Sequence, residues 1–141
     1  MDIVNVYVDG SYGKNNLTYC ASWAYIVFNI KNEILHKDKG ILYGEINSIR
    51  QIGGELKSVM EAINYCIKNK YKANIYFDYI GIRNWCHDLF NKTPWKCKNK
   101  WTKEYREFMI LNKDYINKMI KVKSHSGNEF NDMVDKLAKI E

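Results

Sequence analysis

The sequence predicts an α/β fold in which helices pack against a mixed sheet. Apolar residues alternate at the two-residue period of a strand over residues 3–9. A helical period replaces it further along, at Leu56, Val59, Met60, Ile63 and Ile67. Short β-branched runs and helical patterns then take turns along the rest of the chain. These three observations favour one sheet covered by helices over an all-helical or all-strand fold.

The first part of the chain predicts an antiparallel meander of three strands. Residues 3–9 form the first strand, and residues 18–28 are apolar and aromatic on both faces, as is typical of a central strand. Lys31 and Asn32 mark a turn into a third strand around residues 33–39.

The remainder predicts helices separated by short strands. In chain order they are a helix at 54–69, a strand at 73–77, helices at 80–90 and 101–118, a strand at 120–123 and a helix at 130–138. The predicted order is therefore β-β-β-α-β-α-α-β-α.

Length and composition exclude several classes of protein. With 141 residues, 46% of them hydrophobic, the chain is predicted to form a single domain over residues 1–141 with its own core. Disordered chains are poorer in apolar residues. The richest apolar stretch, residues 20–28, is too short to span a membrane. The amino end lacks the pattern of a signal peptide. We expect a cytoplasmic protein with no membrane association.

The charge favours a polyanionic partner. The net charge is +6 and the isoelectric point is about 9.0. Residues 92–103 hold five lysines and no acid, and they interleave lysines with Trp95 and Trp101. Such a segment suits a nucleic-acid backbone. The alternative is that both tryptophans anchor the core and flank a solvated lysine loop.

The four cysteines predict free thiols. Cys20, Cys66, Cys86 and Cys97 include no C-x-x-C pair, and their spacing matches no zinc motif. We therefore expect thiols in a reducing compartment and no structural metal.

Three acidic residues stand at places where chemistry is often found. Asp9 and Asp78 close apolar strands, and Glu55 directly follows two glycines at the start of a helix. Carboxylates are seldom buried unless they are paired or bound to a cation. Taken alone, each has a structural explanation, since Asp often starts a turn and Glu favours the first turn of a helix.

Two further candidates lie near the carboxyl end. His125 belongs to a polar loop between a strand and a helix, where a surface position explains it equally well. Asp135 lies inside the last helix beside its apolar face, and is less easily explained as a solvated acid. Asp132, three residues earlier in the same helix, is the competing candidate.

Together these segments resemble type 1 ribonuclease H, in order and over nearly the whole chain. The matching segments are Val8-Asp9-Gly10-Ser11, Gly53-Gly54-Glu55-Leu56, Tyr76-Phe77-Asp78-Tyr79, Val122-Lys123-Ser124-His125-Ser126-Gly127 and Asn131-Asp132-Met133-Val134-Asp135-Lys136-Leu137-Ala138. The last two are the most specific. The resemblance implies a ribonuclease H-like fold, with a five-stranded mixed sheet in the order 3-2-1-4-5 and helices on both faces.

The resemblance also implies a nuclease with four carboxylates and two metal ions. Asp9 resembles the carboxylate that bridges both ions, Glu55 and Asp78 complete one side, and Asp135 completes the other. Ligands that are all oxygen select Mg²⁺, with Mn²⁺ as a substitute. His125 resembles a loop residue that assists proton transfer or product release.

The implied substrate is the RNA strand of an RNA–DNA hybrid, cut to leave a 5′-phosphate and a 3′-hydroxyl. The implied contact residues are Gly10, Ser11, Tyr12, Arg50, Gln51, Trp85, Trp95, Lys96 and Lys98. Many relatives carry an Asn-Asn pair before the glutamate, whereas this chain has Arg50 and Gln51 nearby. We expect a monomer that needs no small-molecule cofactor.

Two alternatives remain at this point. One is another nuclease of the same fold, such as a resolvase or an integrase, which also clusters acids. The segment around His125 and the early Asp9-Gly10-Ser11 argue against it. The other is a non-catalytic module that binds hybrids. The presence of all four expected carboxylates argues against that one.

Overall fold

The computed structural model describes residues 1–124 and 127–140. Its sheet has five strands in the order β3-β2-β1-β4-β5, which confirms the predicted fold class. The strands are β1 (Asp2–Asn15), β2 (Thr18–Phe28), β3 (Ile34–Ile41), β4 (Tyr71–Phe77) and β5 (Ile116–Lys121). The first three form the expected antiparallel meander. The strands β4 and β5 run parallel to β1, so the sheet is mixed.

The described residues also form four helices and three 3₁₀ turns. The helices are α1 (Gln51–Asn69), α2 (Gly81–Asn84), α3 (Lys100–Leu111) and α4 (Glu129–Ala138). The 3₁₀ turns are Glu45–Ile49, His87–Phe90 and Lys113–Tyr115. Within the described residues, no helix is both long enough and apolar enough to cross a bilayer.

Both faces of the sheet carry a buried apolar layer. Alternate residues of β1 point to opposite sides, because successive side chains of a strand do so. Val6 and Val8 pack into the larger layer with Ile63 of α1. Tyr7 packs on the other side, against Val134 of α4. The helices therefore cover both faces, as the resemblance implied.

The strand β1 is longer than predicted, and its pairing with the neighbouring strands sets the positions of the site residues. It continues past Asp9 to Asn15, paired with β2 throughout that stretch. The last parallel pair with β4 joins Tyr7 to Tyr76, so Asp9 and the residue after β4, Asp78, lie level with each other. Asp9 is thus inside a strand, at the point where its neighbour on one side ends.

The predicted helix at 80–90 is two short pieces. The carbonyl of Asn84 accepts a hydrogen bond from the Trp95 N–H at 2.7 Å, and that of Trp85 accepts one from Arg106 at 3.0 Å. These two bonds attach the end of α2 to the following loop and to α3. The chain turns at Cys86 and resumes as a 3₁₀ turn.

The predicted helix at 101–118 was wrong in its second half. The helix α3 begins at a capping box between Asn99 and Thr102 and ends at Leu111. Residues 116–118, predicted as helix, belong to β5, which was predicted only at 120–123. Pairing of Ile116 with Ala73 buries it in the sheet, and this tertiary contact overrides the local helical spacing.

The thiols are free, as predicted. Cys20, Cys66 and Cys86 are buried, and Cys97 is partly buried. Burial raises the pKa of Cys66 and of Cys86 to about 12. These side chains therefore act as small apolar groups in the core.

Candidate active site

Three carboxylates meet where β4 ends, and we call them the acidic edge: Asp9, Glu55 and Asp78. Each offers an oxygen within 4.8 Å of the other two. Asp9 comes from the middle of β1, Glu55 from the second turn of α1 and Asp78 from the residue after β4. Asp9 and Glu55 are buried, and Asp78 is half-buried. The structure thus brings together three of the four acids that the resemblance implied.

Two glycines let α1 approach the sheet closely enough to form this edge. A Cβ on Gly10 would lie 2.2 Å from the Glu55 amide nitrogen, and one on Gly54 would lie 2.0 Å from the Ser22 carbonyl oxygen. Neither distance is possible for a real side chain. The backbones of α1, β1 and β2 are therefore in direct contact here, and Glu55 is carried to Asp9 by rigid elements.

The acidic edge is electrostatically strained without a cation. The pKa of Asp9 is raised to about 7, chiefly by burial; a hydrogen bond with Glu55 lowers it, and the charges of Asp78 and Asp135 contribute to the rise. Burial and the charge of Asp9 raise the pKa of Glu55 well above its usual range. Like charges held this close favour protonation or the binding of a positive ion.

The donor set fits a divalent metal ion. Glu55 Oε2 is buried and has no hydrogen-bond partner among the described residues. Such an orphaned oxygen costs free energy unless a ligand satisfies it. The three side chains offer only carboxylate oxygens, which suit hard divalent cations rather than zinc. The acidic triad could therefore bind a metal ion.

Asp135 interacts with Asp9 but lies outside the three-way cluster. Its carboxylate raises the pKa of Asp9, although it does not join the group formed by Asp9, Glu55 and Asp78. Its own oxygen Oδ2 is 3.3 Å from Lys139 Nζ, one turn along α4. Asp9 is thus the acid that both groupings share. Between the two competing acids of α4, the structure directs Asp135 toward Asp9.

A second region gathers the predicted basic and aromatic residues. We call it the tryptophan hollow, of about 450 Å³, lined by Trp85, Trp95, Lys96, Lys98, Asn99 and Thr102. The two indole rings meet edge to face with centroids 5.6 Å apart. Trp95 is 43% exposed, so it is not the core anchor that the alternative proposed. Trp101 does pack against the core.

Tyr79 connects the hollow to the acidic edge. It directly follows Asp78, and its ring lies 5.9 Å from that of Trp85. Burial and the charge of Glu55 raise the pKa of Tyr79. The Arg106 guanidinium donates a hydrogen bond to the Trp85 carbonyl. It also forms a two-pronged ion pair with Asp88, in which both N–O distances are 2.7 Å.

The other predicted contact residues flank the acidic edge. Gly10, Ser11 and Tyr12 continue β1 beyond Asp9 and are partly exposed. Arg50 and Gln51 are exposed at the start of α1. Gln51 precedes Glu55 by four residues, so it lies on the same side of the helix. His125 lies outside the described residues.

Sequence reasoning missed several groups at the site. Ser124 lies within hydrogen-bonding distance of Asp78, with 3.2 Å between Ser124 Oγ and Asp78 Oδ2. Lys139 pairs with Asp135, and Asn99 and Thr102 line the hollow. The four-residue spacing from Asp135 to Lys139 was a signal for that pair. Asn99 had the sequence signal of a helix cap, and nothing in the sequence marked it as part of a hollow.

A mixed sheet in this order, with carboxylates gathered beside β1 and β4, defines the ribonuclease H-like class of folds. A family model described as RNase H matches residues 1–141. The chain belongs to the RNase H family and is a ribonuclease H enzyme. The resemblance found in the sequence is thereby confirmed.

Relatives found by sequence comparison agree with this family. Ribonuclease H from Caldanaerobacter subterraneus subsp. tengcongensis is 28% identical, over 97% of this chain and 89% of that protein. Ribonuclease H from Thermoanaerobacter sp. strain X514 is 27% identical, over 98% and 88%.

Among solved structures, RNase H1 from Halobacterium salinarum NRC-1 has a TM-score of 0.67 at 12% identity, covering 96% of each chain. LC11-RNase H1 in complex with an RNA/DNA hybrid has a TM-score of 0.63 at 14% identity, over 96% of this chain and 99% of that one. At these identities the likeness concerns the fold.

Proposed function

We propose that this enzyme is an endoribonuclease that hydrolyses the RNA strand of RNA–DNA hybrids. It uses two divalent metal ions and leaves a 5′-phosphate and a 3′-hydroxyl. The observation that carries the proposal is the acidic edge, where Asp9, Glu55 and Asp78 converge within 4.8 Å and one buried oxygen has no hydrogen-bond partner among the residues that the structure describes. Membership of the RNase H family supports the choice of substrate, as does LC11-RNase H1, a structural relative that was solved in complex with an RNA/DNA hybrid.

In this proposal the carboxylates hold the metal ions. Asp9 would contribute to both metal sites, because it is the acid shared by the two groupings. Glu55 and Asp78 would help to hold one ion and Asp135 the other. The ions, Mg²⁺ with Mn²⁺ as a substitute, would supply an activated water and stabilise the leaving oxygen. Close backbone packing at Gly10 and Gly54 fixes the position of Glu55, so its carboxylate oxygens would stay in place for the ions.

The surrounding residues recognise the two strands. Gly10, Ser11 and Tyr12 lie beside the carboxylates and are proposed to read the 2′-hydroxyls of RNA, the group that distinguishes RNA from DNA. Arg50 and Gln51 contact the same strand from the start of α1. The tryptophan hollow receives the DNA strand, with lysines on the phosphates and indoles against the sugars.

The remaining expectations are part of the proposal. His125 assists proton transfer or product release and does not hold metal. The chain acts as a single domain over residues 1–141, as a monomer in the cytoplasm, and needs no small-molecule cofactor.

Cleavage of matched duplexes tests the substrate. The same sequence is offered as RNA–DNA, RNA–RNA and DNA–DNA, with Mg²⁺ and with a chelator. Cleavage of the hybrid alone, in Mg²⁺ alone, is expected. Cleavage of DNA–DNA would favour the resolvase or integrase alternative. An intact hybrid at every Mg²⁺ concentration would favour the non-catalytic binding module.

Asp9→Asn tests the site. The substitution keeps the shape of the side chain and removes its negative charge. Changing a residue that only hydrogen-bonds to a metal ligand already costs up to about a hundredfold in activity, so the loss of cleavage here should be larger than that. Hybrid binding in a chelator should persist, as measured by fluorescence anisotropy. An Asp9→Asn enzyme with full activity would refute the assignment of the metal ligands.

A further inference from the structure

A groove of about 440 Å³ shares no lining residue with the tryptophan hollow. It runs between the end of α4 and the outer strands, and Lys39, Tyr43, Lys139 and Asn15 are among the side chains that line it. Of these four, only Lys139 touches a proposed metal ligand, Asp135. The volume of the groove is in the range of ordinary ligand pockets.

The groove is a built feature of the fold. The buried hydroxyl of Ser22 donates a hydrogen bond to the carbonyl of Ala138, which ties the end of α4 to β2. The Trp23 indole lies against Gly40, where an added Cβ would be 2.5 Å from the ring. Both walls are therefore fixed by buried contacts rather than by exposed loops alone.

The charge of the groove suits an anion. Lys39 and Lys139 both line it, and among its described lining residues none is acidic. Lys139 also connects the groove to the catalytic carboxylates, since its Nζ is 3.3 Å from Asp135 Oδ2. An anionic chain that lies in the groove and contacts Lys139 would therefore be separated from Asp135 by that one side chain.

The groove continues into a second hollow, which points to a polymer. That hollow, of about 420 Å³, shares Asn15 and Tyr43 with the groove and is also lined by Asn16, Leu17 and Asn47. Tyr43 is 75% exposed and Leu17 is 92% exposed. A lysine-lined track thus leads from α4 to an uncharged segment with amides, an aromatic ring and an exposed apolar side chain.

We propose that this track binds a single-stranded continuation of the RNA strand as it leaves the hybrid. Lysines neutralise its phosphates, and Tyr43 stacks on an unpaired base, whose face a duplex would hide. The RNA strand is the one concerned because Asp135, which borders the groove through Lys139, belongs to the site where RNA is cut. This inference rests on the proposed function and extends it to hybrids with RNA tails.

Binding of tailed hybrids tests the track. A blunt hybrid is compared with hybrids that carry about six unpaired nucleotides on either end of the RNA strand or on either end of the DNA strand. Affinity is measured by fluorescence anisotropy in a chelator, so that nothing is cut. One of the two RNA tails should tighten binding about fivefold, as one stacked base would, and the DNA tails should not.

The double variant Lys39→Ala/Tyr43→Ala should lose that gain and bind the blunt hybrid like the parent enzyme. Both side chains are exposed, so the fold should persist, which a thermal melt checks. Lys37→Ala is the matched control, because Lys37 lies two residues away on the same side of β3 and outside the groove lining. It should keep the full gain.

Three results would overturn the inference: no gain from either RNA tail, an equal gain from a DNA tail, or a full gain in the double variant. Cleavage of the blunt hybrid in Mg²⁺ is measured alongside. An enzyme that cuts the blunt hybrid but ignores the tail refutes the track alone. An enzyme that binds the tail but cuts no hybrid refutes the proposed function.

Discussion

The acidic edge and the tryptophan hollow are built in opposite ways. The acidic edge consists of buried carboxylates on packed backbones, with Asp9 at 3% and Glu55 at 5% exposure. The hollow presents exposed lysines, Lys96 and Lys98, and a 43% exposed Trp95 on a connection between elements. The acidic edge concentrates carboxylates whose negative charges repel one another. The hollow carries lysines whose positive charges are solvated by water.

In the proposed function, this difference assigns the reaction to the acidic edge and substrate binding to the hollow. Metal-assisted hydrolysis requires ligands held in one geometry, and buried rigid elements provide it at a cost in stability. Binding a polyanion of any sequence requires charge and adaptable surface, which exposed lysines provide with little effect on stability. Changes at the acidic edge should therefore affect folding and chemistry together, whereas changes at the hollow should affect binding alone.

Gly10→Ala should produce the largest change in stability. Its new Cβ would lie 2.2 Å from the Glu55 amide nitrogen, so α1 must move away from β1. The free energy of unfolding should fall by about 3 kcal/mol, at the upper end of overpacking costs, and cleavage should fall with it. Urea unfolding and hybrid cleavage measure the two effects.

Gly13→Ala is the control for that change. It lies in the same strand, but its Cβ would be 3.8 Å from its nearest neighbour, Ile140, which is ordinary contact. Its effect on unfolding should stay within about 0.5 kcal/mol. Equal losses for the two variants would mean that any side chain added to a glycine of β1, rather than the contact between α1 and β1, decides the result.

The sequence predicted the acidic edge better than the hollow, and the reason is physical. Local signals placed Asp9 and Asp78 after apolar strand residues and Glu55 after two glycines, and the resemblance to ribonuclease H then grouped them in one site. The five-stranded order followed from the resemblance those residues carry. The close approach at Gly10 and Gly54 depends on three elements packing together, and no local pattern reports it.

The region from residue 80 to 118 was the hardest to predict. Where the chain leaves the helix after Asn84, the local carbonyls accept hydrogen bonds from Trp95 and Arg106, and both partners lie at least ten residues away in sequence. The apolar side chain of Ile116 fits the buried face of either a helix or a strand. Its pairing with Ala73 places it in a strand. The lining of the hollow depends on these same long-range contacts, so its shape was out of reach.

The stability of the metal-free protein should fall as pH rises from about 4 to about 7. An unfolded Asp loses its proton near pH 4, whereas burial raises the pKa of Asp9 in the fold to about 7. Between these values the folded state binds more protons than the unfolded state, so each step up in pH favours unfolding. Glu55, whose pKa is also raised, acts in the same direction. Calorimetric melting temperatures in a chelator would show the decline.

Mg²⁺ should reverse that decline at neutral pH, because a cation that binds only the folded state stabilises it. Asp9→Asn supplies the control, since its metal-free melting temperature should vary less between pH 4 and pH 7 than that of the parent. A parent protein whose metal-free stability rises steadily over this range would contradict the strained acidic edge. A melting temperature at pH 7 that does not respond to Mg²⁺ would contradict metal binding there.

The smallest effect is expected from the hollow, where Lys96→Ala and Lys98→Ala should each weaken hybrid binding in a salt-dependent way. Each lysine that neutralises a phosphate releases counterions, so each substitution should reduce the slope of log affinity against log salt by about 1. The melting temperature and the maximal cleavage rate should not change, because both side chains are exposed and distant in sequence from the carboxylates. Lys103→Ala is the control, since Lys103 belongs to the same basic segment but does not line the hollow. If all three substitutions lowered the slope equally, the whole segment would act as a diffuse charge. If only those in the hollow did, the phosphates would lie in a defined place beside Lys96 and Lys98, which is the arrangement that the contrast with the acidic edge requires.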